Sequence, residues 1–551
     1  MIESADRSGT TTDRSDRSDI DRTPVVDADV CVIGAGPAGA IVSDRLAAAG
    51  HSVVVLDAGP RFDPADRIDR QERAIRPYYG RPDVWDGDPE RDAYSSSGDR
   101  GYPLNHARVK GVGGSTLHWQ GMVMRLHEDD FNAATERGVG VDWPIDYADL
   151  RPYYAAAERE LGVSGASDNP YAPPREEPHP MPAFPPSYSD SLFAEACEEL
   201  GIDMHSVPNA RNSEGYDDRS ACVGYGTCQP VCPSGAKYDA TVHADRAEER
   251  GATVIDRAAV QRLDHGPDGE RIQSAEYVTP DGETHRQEAD AFVVAAGGVE
   301  TPRLLLLSES DQYPDGLANT SGAVGKFFMD HLFAGTGGVL DEPTRQNHVG
   351  FLTSECHGFY DEADAETAPF KLEFFNYAGP SPVEMALSGE SWGDDLLGDL
   401  RDAYGNNIAM GALVGQLPDE GSYVGLDRDR TDAHGNPVPE IHWSVDDRAL
   451  ETIDRVNAIQ ESILEELGAE ITWQADAEST GPAYHHMGTT RMGEDPTESV
   501  VDPDLRTHDL RNCWIVGSSV FPTGGAMNPT LTIAALALRA AETIDAALDG
   551  L

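Results

Sequence analysis

The chain has 551 residues, enough for a large core and roughly two to four domains. Its 97 acidic residues outnumber 42 basic ones, which gives a formal net charge of −55. This excess argues against a nucleic-acid partner or an anionic membrane, because almost no basic patch remains to meet phosphates. The lysines number four: Lys110, Lys237, Lys326 and Lys371. Acidic excess with little lysine favours a protein that works in concentrated salt, where charge repulsion is screened within about 3 Å.

Residues 1–26 repeat Asp, Arg and Ser without an apolar run, and we predict a disordered tail there. The tail has neither a signal-peptide core nor a twin arginine. The longest candidate for a membrane span, 531–538, is short and is followed by Arg539. We therefore expect a protein that is cytoplasmic by its own sequence and that a signal-bearing partner could export as a passenger.

A dinucleotide site is predicted near the start of the chain. An apolar strand runs directly into Gly34, Gly36 and Gly39, a helix over 38–49 follows, and a second apolar strand ends in Asp57. Gly34 permits the tight turn, Gly36 lets the backbone approach the pyrophosphate, and Gly39 lets the helix pack on the strand. The pyrophosphate then faces the helix N-terminus, and Asp57 is placed to accept hydrogen bonds from a ribose. The alternative is a glycine-rich turn in another kind of α/β domain.

The bound dinucleotide is predicted to be FAD. The chain shows a single fingerprint, whereas an enzyme that reduces a flavin with a nicotinamide usually carries two. Residues 290–298 indicate a buried strand that ends in small residues, among them Gly297. A strand far downstream that pairs beside the first suits the larger domain that holds FAD, by analogy.

The predicted fold is α/β, with a Rossmann-like FAD-binding domain interleaved with a sheet-containing substrate domain. The FAD-binding domain is assigned, discontinuously, to 27–125, 235–335 and 485–551. The substrate domain is assigned to 126–234 and 336–484, where proline-rich connections and strand-like runs dominate. Apolar residues at helical spacing predict a helix over about 447–467 within it.

Candidate chemistry lies near the C-terminus. His485 and His486 are adjacent in a glycine-containing loop and are suited to accepting a proton near neutral pH. Asn528 and Pro529 open the last helix, whose positive end would stabilise negative charge on a reduced flavin. The simpler interpretations are loop structure for the histidines and a helix cap for Asn528.

A cysteine loop is the second candidate site. Cys222, Cys228 and Cys232 are three of the seven cysteines and fall within eleven residues, the last before a proline. Three thiolates in a glycine-containing loop suit an iron–sulfur cluster. A disulfide with one free thiol, or zinc with a fourth ligand from elsewhere, are the alternatives.

Six sequence blocks in this order resemble the glucose-methanol-choline (GMC) flavoprotein oxidoreductases over residues 27–548. The blocks are the Gly34 fingerprint and residues 112–121, 143–154, 298–306, 324–331 and 484–533. The resemblance implies that FAD takes a hydride from a carbinol carbon. It implies that His485 is the catalytic base and that Asn528 hydrogen-bonds the same substrate oxygen.

The resemblance also assigns residues to the flavin. It implies that Gly113, Gly114 and Ser115 form a loop over the isoalloxazine, with Ser519 and Gly297 as further cofactor contacts. His118 falls where some relatives attach FAD covalently, whereas other members use the loop only to cover the flavin.

Within the family, the chain looks closest to gluconate, glucose and fructose dehydrogenases. Those relatives use the same cysteine spacing for a [3Fe-4S] cluster, which implies a protein electron acceptor and a small companion subunit. The expected enzyme is a dehydrogenase of a sugar, polyol or sugar acid, from a halophilic archaeal source. The alternatives are an oxygen-using oxidase and a flavoprotein with a non-oxidative or electron-carrying role.

Overall fold

The computed structural model describes residues 21–74, 84–344, 350–376, 379, 382–388, 391–548 and 550. The strands are β1 Val30–Ile33, β2 Val53–Leu56, β3 Ser95–Gly98, β4 Ser164–Gly165, β5 Met181–Pro182, β6 His205–Ser206, β7 Thr253–Ile255, β8 Ala259–His265, β9 Ile272–Val278, β10 Thr284–Glu288, β11 Ala291–Val294, β12 Leu332–Val339, β13 Leu352–Cys356, β14 Phe370–Phe375, β15 Asn407–Val414, β16 Tyr423–Thr431, β17 Pro437–Trp443, β18 Glu470–Gln474, β19 Gly481–Pro482 and β20 Cys513–Ile515. The α-helices are α1 Pro37–Ala49, α2 Arg67–Ala74, α3 Glu128–Phe131, α4 Ala133–Arg137, α5 Tyr147–Leu161, α6 Tyr188–Leu200, α7 Thr241–Glu249, α8 Gly297–Leu307, α9 Pro382–Ser388, α10 Asp394–Ala403, α11 Asp447–Glu466 and α12 Thr530–Leu548.

A five-stranded parallel sheet forms one half of the molecule, with strand order β20-β11-β1-β2-β7. β1, β2, β11 and β20 are buried along their whole length. Such continuous apolar strands are typical of parallel sheets covered on both faces. The sheet collects strands from three distant parts of the chain, and the expected α/β architecture is confirmed.

The turn between β1 and α1 explains its glycines. Gly34 has φ of +99°, a conformation that glycine adopts without strain. A Cβ atom on Gly39 would lie 2.0 Å from the Gly34 carbonyl oxygen, so α1 packs on the turn only with glycine there. α1 begins with Pro37 at its first position and ends at Gly50 in the left-handed region.

A seven-stranded antiparallel sheet forms the other half, in the order β18-β12-β15-β14-β13-β6 with β19 paired to β12. Side chains alternate between its two faces. Along β14, Phe370, Leu372 and Phe374 pack into an apolar core with α6 and α11. Lys371 and Glu373 lie on the opposite face, which points towards the parallel-sheet half and is also buried.

The tail predicted for residues 1–26 lies outside the described residues up to position 20. Beyond it the chain is held in place: Arg22 pairs with Asp256 at 2.9 Å, and the Val25 amide donates to Gln287. Arg22 and Val25 thus contact the folded part of the chain, and the disorder predicted for residues 1–26 stays a prediction. Within the described residues, no helix combines the length and apolarity that crossing a membrane requires.

Candidate active site

One cavity of about 1050 Å³ lies between the two sheets. Nine of the fifteen candidate site residues line it: Gly34, Gly36, Asp57, Gly114, Ser115, His118, Gly297, His485 and Asn528. Residues 400 positions apart in sequence thus meet at one wall. Gly39 and Gly113 lie behind the wall, where their backbones pack. Ser519 is buried behind it and accepts a hydrogen bond from Thr490 at 2.8 Å, while its neighbour Ser518 lines the cavity.

The dinucleotide end of the cavity is built from two glycine turns. No atom lies within 4 Å of the position of a Cβ on Gly36, so the space beside this backbone is open. A Cβ on Gly114 would lie 3.0 Å from the Gly36 Cα, so the two glycine turns are in direct contact. The N-terminus of α1 opens onto the same space, and its unpaired amides favour an anionic pyrophosphate there. The residues present fit FAD.

Asp57 at the end of β2 is already engaged by the backbone. Its Oδ2 accepts from the Ala35 amide at 2.8 Å and its Oδ1 from Gly59 at 2.9 Å. Burial raises the pKa of Asp57, and these two bonds oppose the shift. The carboxylate therefore holds the glycine turn in position. Each oxygen has a second lone pair, so the predicted ribose contact remains a prediction.

The loop that carries His118 closes over the fingerprint. Gly113 has φ of +106° and donates its amide to Ala35 at 2.9 Å, which joins the two loops. The His118 ring is buried, and its Nε2 lies 2.6 Å from the Ala107 carbonyl. This contact orients the ring at the cavity wall.

A buried carboxylate holds the histidine loop. Asp330 Oδ1 accepts from the backbone amides of His331 at 2.7 Å and His485 at 2.8 Å, and Oδ2 accepts from the Tyr102 hydroxyl. Burial raises the pKa of Asp330 to about 7. Tyr484, immediately before His485, has φ of +67°, which is strained for a non-glycine residue. The loop conformation is thus imposed by its surroundings.

His331 lies directly against His485. The two Nδ1 atoms are 2.9 Å apart, and His331 Nε2 is 3.3 Å from the Gly524 carbonyl. A carbonyl only accepts, so we place the His331 proton on Nε2. His331 Nδ1 is then an acceptor, and His485 carries its proton on Nδ1. The lone pair of His485 Nε2 consequently faces the cavity, 3.5 Å from Asn528 Nδ2.

These rings are held in the neutral form. Burial lowers the pKa of His485 well below its ordinary value of 6.5, and it lowers that of His331 to about 4. Burial lowers the pKa of the neighbouring His486 to about 3. A neutral His485 with an unprotonated Nε2 has the form that a general base requires above pH 6.5.

Asn528 does not act as an ordinary helix cap. Its Oδ1 is buried and has no hydrogen-bond partner among the described residues. A capping side chain would accept from an amide in the first turn of α12. The amide group instead lines the cavity beside His485, where an incoming hydroxyl would find it.

The cysteine loop contains three free thiols. All seven cysteines lie in described residues, and none forms a disulfide. Sulfur ligands at about 2.3 Å from zinc would lie about 3.8 Å apart. In the described part of the chain, the loop's sulfurs are not all within 4.8 Å of one another, a spacing that disfavours one zinc ion. The sulfurs of Cys222 and Cys232 accept backbone amides at 3.4 Å, from Gly224 and Lys237 respectively.

Two buried cations lie beside these thiols. Arg211 Nη1 donates to Cys228 Sγ at 3.7 Å, and Lys237 Nζ donates to the Cys228 carbonyl at 2.8 Å. Burial lowers the pKa of Lys237 to about 8, and the neighbouring Cys232 and Cys228 oppose that shift. Positive charge at this depth complements an anionic group held by the thiols. Three thiols are a donor set that iron–sulfur clusters use, and the cluster stays a prediction.

Another metal-like group occurs among the described residues, formed by Asp44, Glu160 and His243. Arg250 pairs with Asp44, and Arg246 pairs with Glu160 at 2.8 Å. Arginines at this distance compete with a cation, so we interpret the group as an ion-pair cluster.

Several residues of the site had no individual prediction from the sequence. Asp330 and His331 lie in the 324–331 block, where two adjacent ionisable residues follow an apolar run. This adjacent ionisable pair was the feature of the sequence that could have identified them as site residues. Glu373 lines the cavity and alternates with apolar residues in β14. In the sequence this alternation predicts an ordinary solvent-facing position.

Comparisons with known proteins agree with this geometry. Two profiles of the family described as GMC oxidoreductase match residues 101–333 and 418–537. The chain is 36% identical over 543 residues to the fructose dehydrogenase large subunit of Gluconobacter japonicus, covering 94% of this chain and 97% of that protein. It is 31% identical over 538 residues to the 2-methyl-1,2-propanediol dehydrogenase of Mycolicibacterium austroafricanum, covering 94% and 95%.

The fold is similar to the crystal structure of pyridoxine 4-oxidase from Mesorbium loti, with a TM-score of 0.64 and 19% identity over 94% of this chain and 99% of that chain. At this identity the likeness concerns the fold alone. The family profiles and the two dehydrogenases carry the assignment. The chain belongs to the GMC oxidoreductase family and is an FAD-dependent oxidoreductase that acts on CH–OH groups.

Proposed function

We propose that this protein is a dehydrogenase that oxidises a carbinol of a sugar, polyol or sugar acid and passes the electrons to a protein acceptor. The observation that carries the proposal is the pairing of His485 Nε2 with Asn528 Nδ2 in the cavity wall. The 36% identity to a fructose dehydrogenase large subunit supports the substrate class.

His485 is the proposed general base and Asn528 its partner. His485 Nε2 takes the hydroxyl proton, which makes the carbinol alkoxide-like and its hydride easier to lose. The Asn528 side chain hydrogen-bonds the same oxygen and orients the C–H bond. A general base of this kind contributes about 10² to 10⁴ in rate. FAD, when bound, supplies the acceptor for the hydride.

Gly34, Gly36 and Gly114 are the proposed FAD cradle, and His118 is the proposed point of covalent attachment. The buried ring of His118 lies at the cavity wall, which supports the assignment. Acid precipitation tests it. Flavin colour that stays with the protein pellet supports a covalent bond, and colour in the supernatant contradicts it.

Cys222, Cys228 and Cys232 are the proposed ligands of a [3Fe-4S] cluster, which would supply one-electron transfer to the acceptor. Gln229, next to Cys228, lines the same cavity as the flavin residues, so the proposed cluster lies close to the flavin. An iron and sulfide assay on the purified protein tests this, and zinc in place of iron would contradict it.

The proposed acceptor is a redox protein, and the proposed assembly includes a small companion subunit. The relative from Gluconobacter japonicus is named as a large subunit, which supports a companion subunit for this chain. The compartment is proposed to be the cytoplasm, or the cell exterior if a companion bears an export signal. Co-expression with the neighbouring genes, followed by purification of the complex, tests this.

The test of the main proposal is anaerobic flavin reduction in high salt against aldoses, ketoses, polyols, sugar acids and simple alcohols. We expect one class to bleach the flavin, and we expect His485→Ala to retain flavin and lose reduction by at least 100-fold. His508→Ala is the matched control, since His508 contacts Ser499 away from the cavity. Hydrogen peroxide release in air would favour the oxidase alternative. If no compound of the panel reduces the flavin, non-oxidative chemistry is favoured.

A further inference from the structure

A buried carboxylate lies in the cavity wall formed by the antiparallel sheet. Phe333 of β12, Leu413 of β15 and Glu373 of β14 line the cavity, and among the described wall residues from this sheet Glu373 alone is charged. Only 2% of Glu373 is exposed. An ionised carboxylate is costly to bury, so its retention in a wall of Phe and Leu calls for a partner or a use.

A hydrogen bond from the protein satisfies one of the two oxygens of the Glu373 carboxylate. Lys371 Nζ donates to Glu373 Oε1 at 2.8 Å and to Glu355 Oε1 at 2.6 Å, so one ammonium is shared by two carboxylates. Glu355 Oε2 also contacts His357 at 3.0 Å, and burial holds the pKa of His357 well below its usual range, in the neutral form. Within the described residues, the hydrogen bond that reaches the Glu373 carboxylate is the one from Lys371 to Oε1, and none reaches Oε2.

This group and the proposed base belong to the same cavity. The charge of Lys371 contributes to the lowered pKa of both His485 and His331, after burial and, for His485, after His331. Glu373 and His485 line the same cavity from opposite halves of the molecule. A substrate whose carbinol contacts His485 therefore has Glu373 on the substrate-domain side.

We propose that Glu373 is a substrate-binding residue that accepts a hydrogen bond from a hydroxyl group of a neutral sugar or polyol. The inference rests on the proposed function and narrows its substrate class. A carboxylate accepts hydrogen bonds and donates none, so it complements a hydroxyl beside the reacting carbinol. Burial raises the pKa of Glu373, and the Lys371 ammonium at 2.8 Å opposes that rise. The negative charge of Glu373 disfavours the carboxylate of a sugar acid. The site therefore selects neutral polyhydroxylated substrates.

The alternative is that Glu373 only balances Lys371 within the sheet. Glu355 provides a matched control for that alternative, because it is equally buried and binds the same ammonium but does not line the cavity. A structural role predicts the same outcome for Glu355→Gln and Glu373→Gln. A substrate-binding role predicts an effect of Glu373→Gln alone.

The experiment measures anaerobic flavin reduction by stopped flow in the intact protein, with neutral sugars and polyols and with the corresponding sugar acids. For Glu373→Gln we expect the dissociation constant of neutral substrates to rise at least 10-fold, as for loss of a charged hydrogen bond, with a limiting reduction rate within about 3-fold of the parent. We expect the preference for neutral over acidic substrates to fall at least 10-fold. For Glu355→Gln we expect changes under about 3-fold.

The inference would be overturned if Glu373→Gln kept the parental affinity for neutral substrates and the parental preference for neutral over acidic ones. An equal effect of Glu355→Gln would also overturn it. If Glu373→Gln fails to bind flavin, Glu373→Asp replaces it: this variant keeps the charge and shortens the reach. Glu373→Asp should weaken the binding of neutral substrates and retain the discrimination against sugar acids. A parental affinity of this variant for neutral substrates would overturn the inference. Flavin that no CH–OH donor reduces would refute the proposed function itself. Flavin that sugar acids reduce best would refute this inference alone.

Discussion

Replacing His331 by leucine should slow flavin reduction by about 10- to 150-fold. The change removes the acceptor that lies 2.9 Å from His485 Nδ1. A hydrogen bond to a charged group contributes about 1.5–3 kcal/mol, and the bond becomes of this kind once His485 takes the substrate proton. Since 1.36 kcal/mol is tenfold in rate, the loss corresponds to about 10- to 150-fold. The variant also lets His485 adopt the tautomer whose Nε2 already carries a proton.

The pH dependence gives a second readout of the same bond. His485 acts unprotonated, so the rate is constant above its pKa and falls as the pH drops through it. An acceptor at Nδ1 stabilises the imidazolium, so its removal lowers the pKa further. The acid limb of the reduction rate should move to lower pH in His331→Leu.

His331→Asn is the matched control, because the asparagine Oδ1 takes the position of His Nδ1 and still accepts. We expect His331→Asn to reduce flavin at least tenfold faster than His331→Leu and to restore the acid limb of the pH profile. The assay is anaerobic stopped flow from pH 4.5 to 8.5, with flavin content and the thermal midpoint as folding controls. A leucine variant with intact flavin, a rate within about 3-fold and an unchanged acid limb would refute the reasoning.

Four further outcomes follow from features described above. Gly39→Ala should lower the free energy of unfolding by about 3 kcal/mol, because its Cβ would lie 2.0 Å from the Gly34 carbonyl oxygen. Gly36→Ala meets no atom and should leave apoprotein stability unchanged while weakening FAD binding; a dye-based melt of both variants checks this. Burial keeps His331 neutral to about pH 4, whereas the unfolded chain takes up the proton near 6.5. Its contribution to stability is thus complete above about pH 6.5 and is lost as the pH falls towards 4, so His331→Asn should flatten the acid slope of the thermal midpoint. The net charge of −55 should make that midpoint rise with KCl concentration, and a midpoint independent of salt would contradict the role assigned to screening.

Local patterns in the sequence predicted local structure well. The helix expected over 38–49 is Pro37–Ala49, and the helix expected over about 447–467 is Asp447–Glu466. Both signals are complete within one segment, a glycine turn in the first and a 3.6-residue apolar period in the second. The α/β class followed from strands that carry their own apolar pattern.

The environment of the site could not be predicted in this way. The contact between His331 and His485 joins residues 154 positions apart, and nothing in either segment indicates the other. Glu355 and Glu373 meet through the register of β13 and β14, which depends on the pairing of whole strands. Ser518 lines the cavity, whereas Ser519, the predicted cofactor contact, is buried behind it, and the role of Ser519 stays a prediction.

The scarcity of lysine has a practical consequence for attaching this protein to surfaces. Side-chain exposure is 11% for Lys110 and 0% for Lys371, and Lys237 is 1% exposed. Among the lysines, all of which lie in described residues, Lys326 alone has a largely open side chain, at 43%. Among the lysine side chains, amine-reactive reagents would therefore couple at Lys326 and would spare the ammonium groups inside. Attachment to an electrode through Lys326 would fix one orientation of the enzyme.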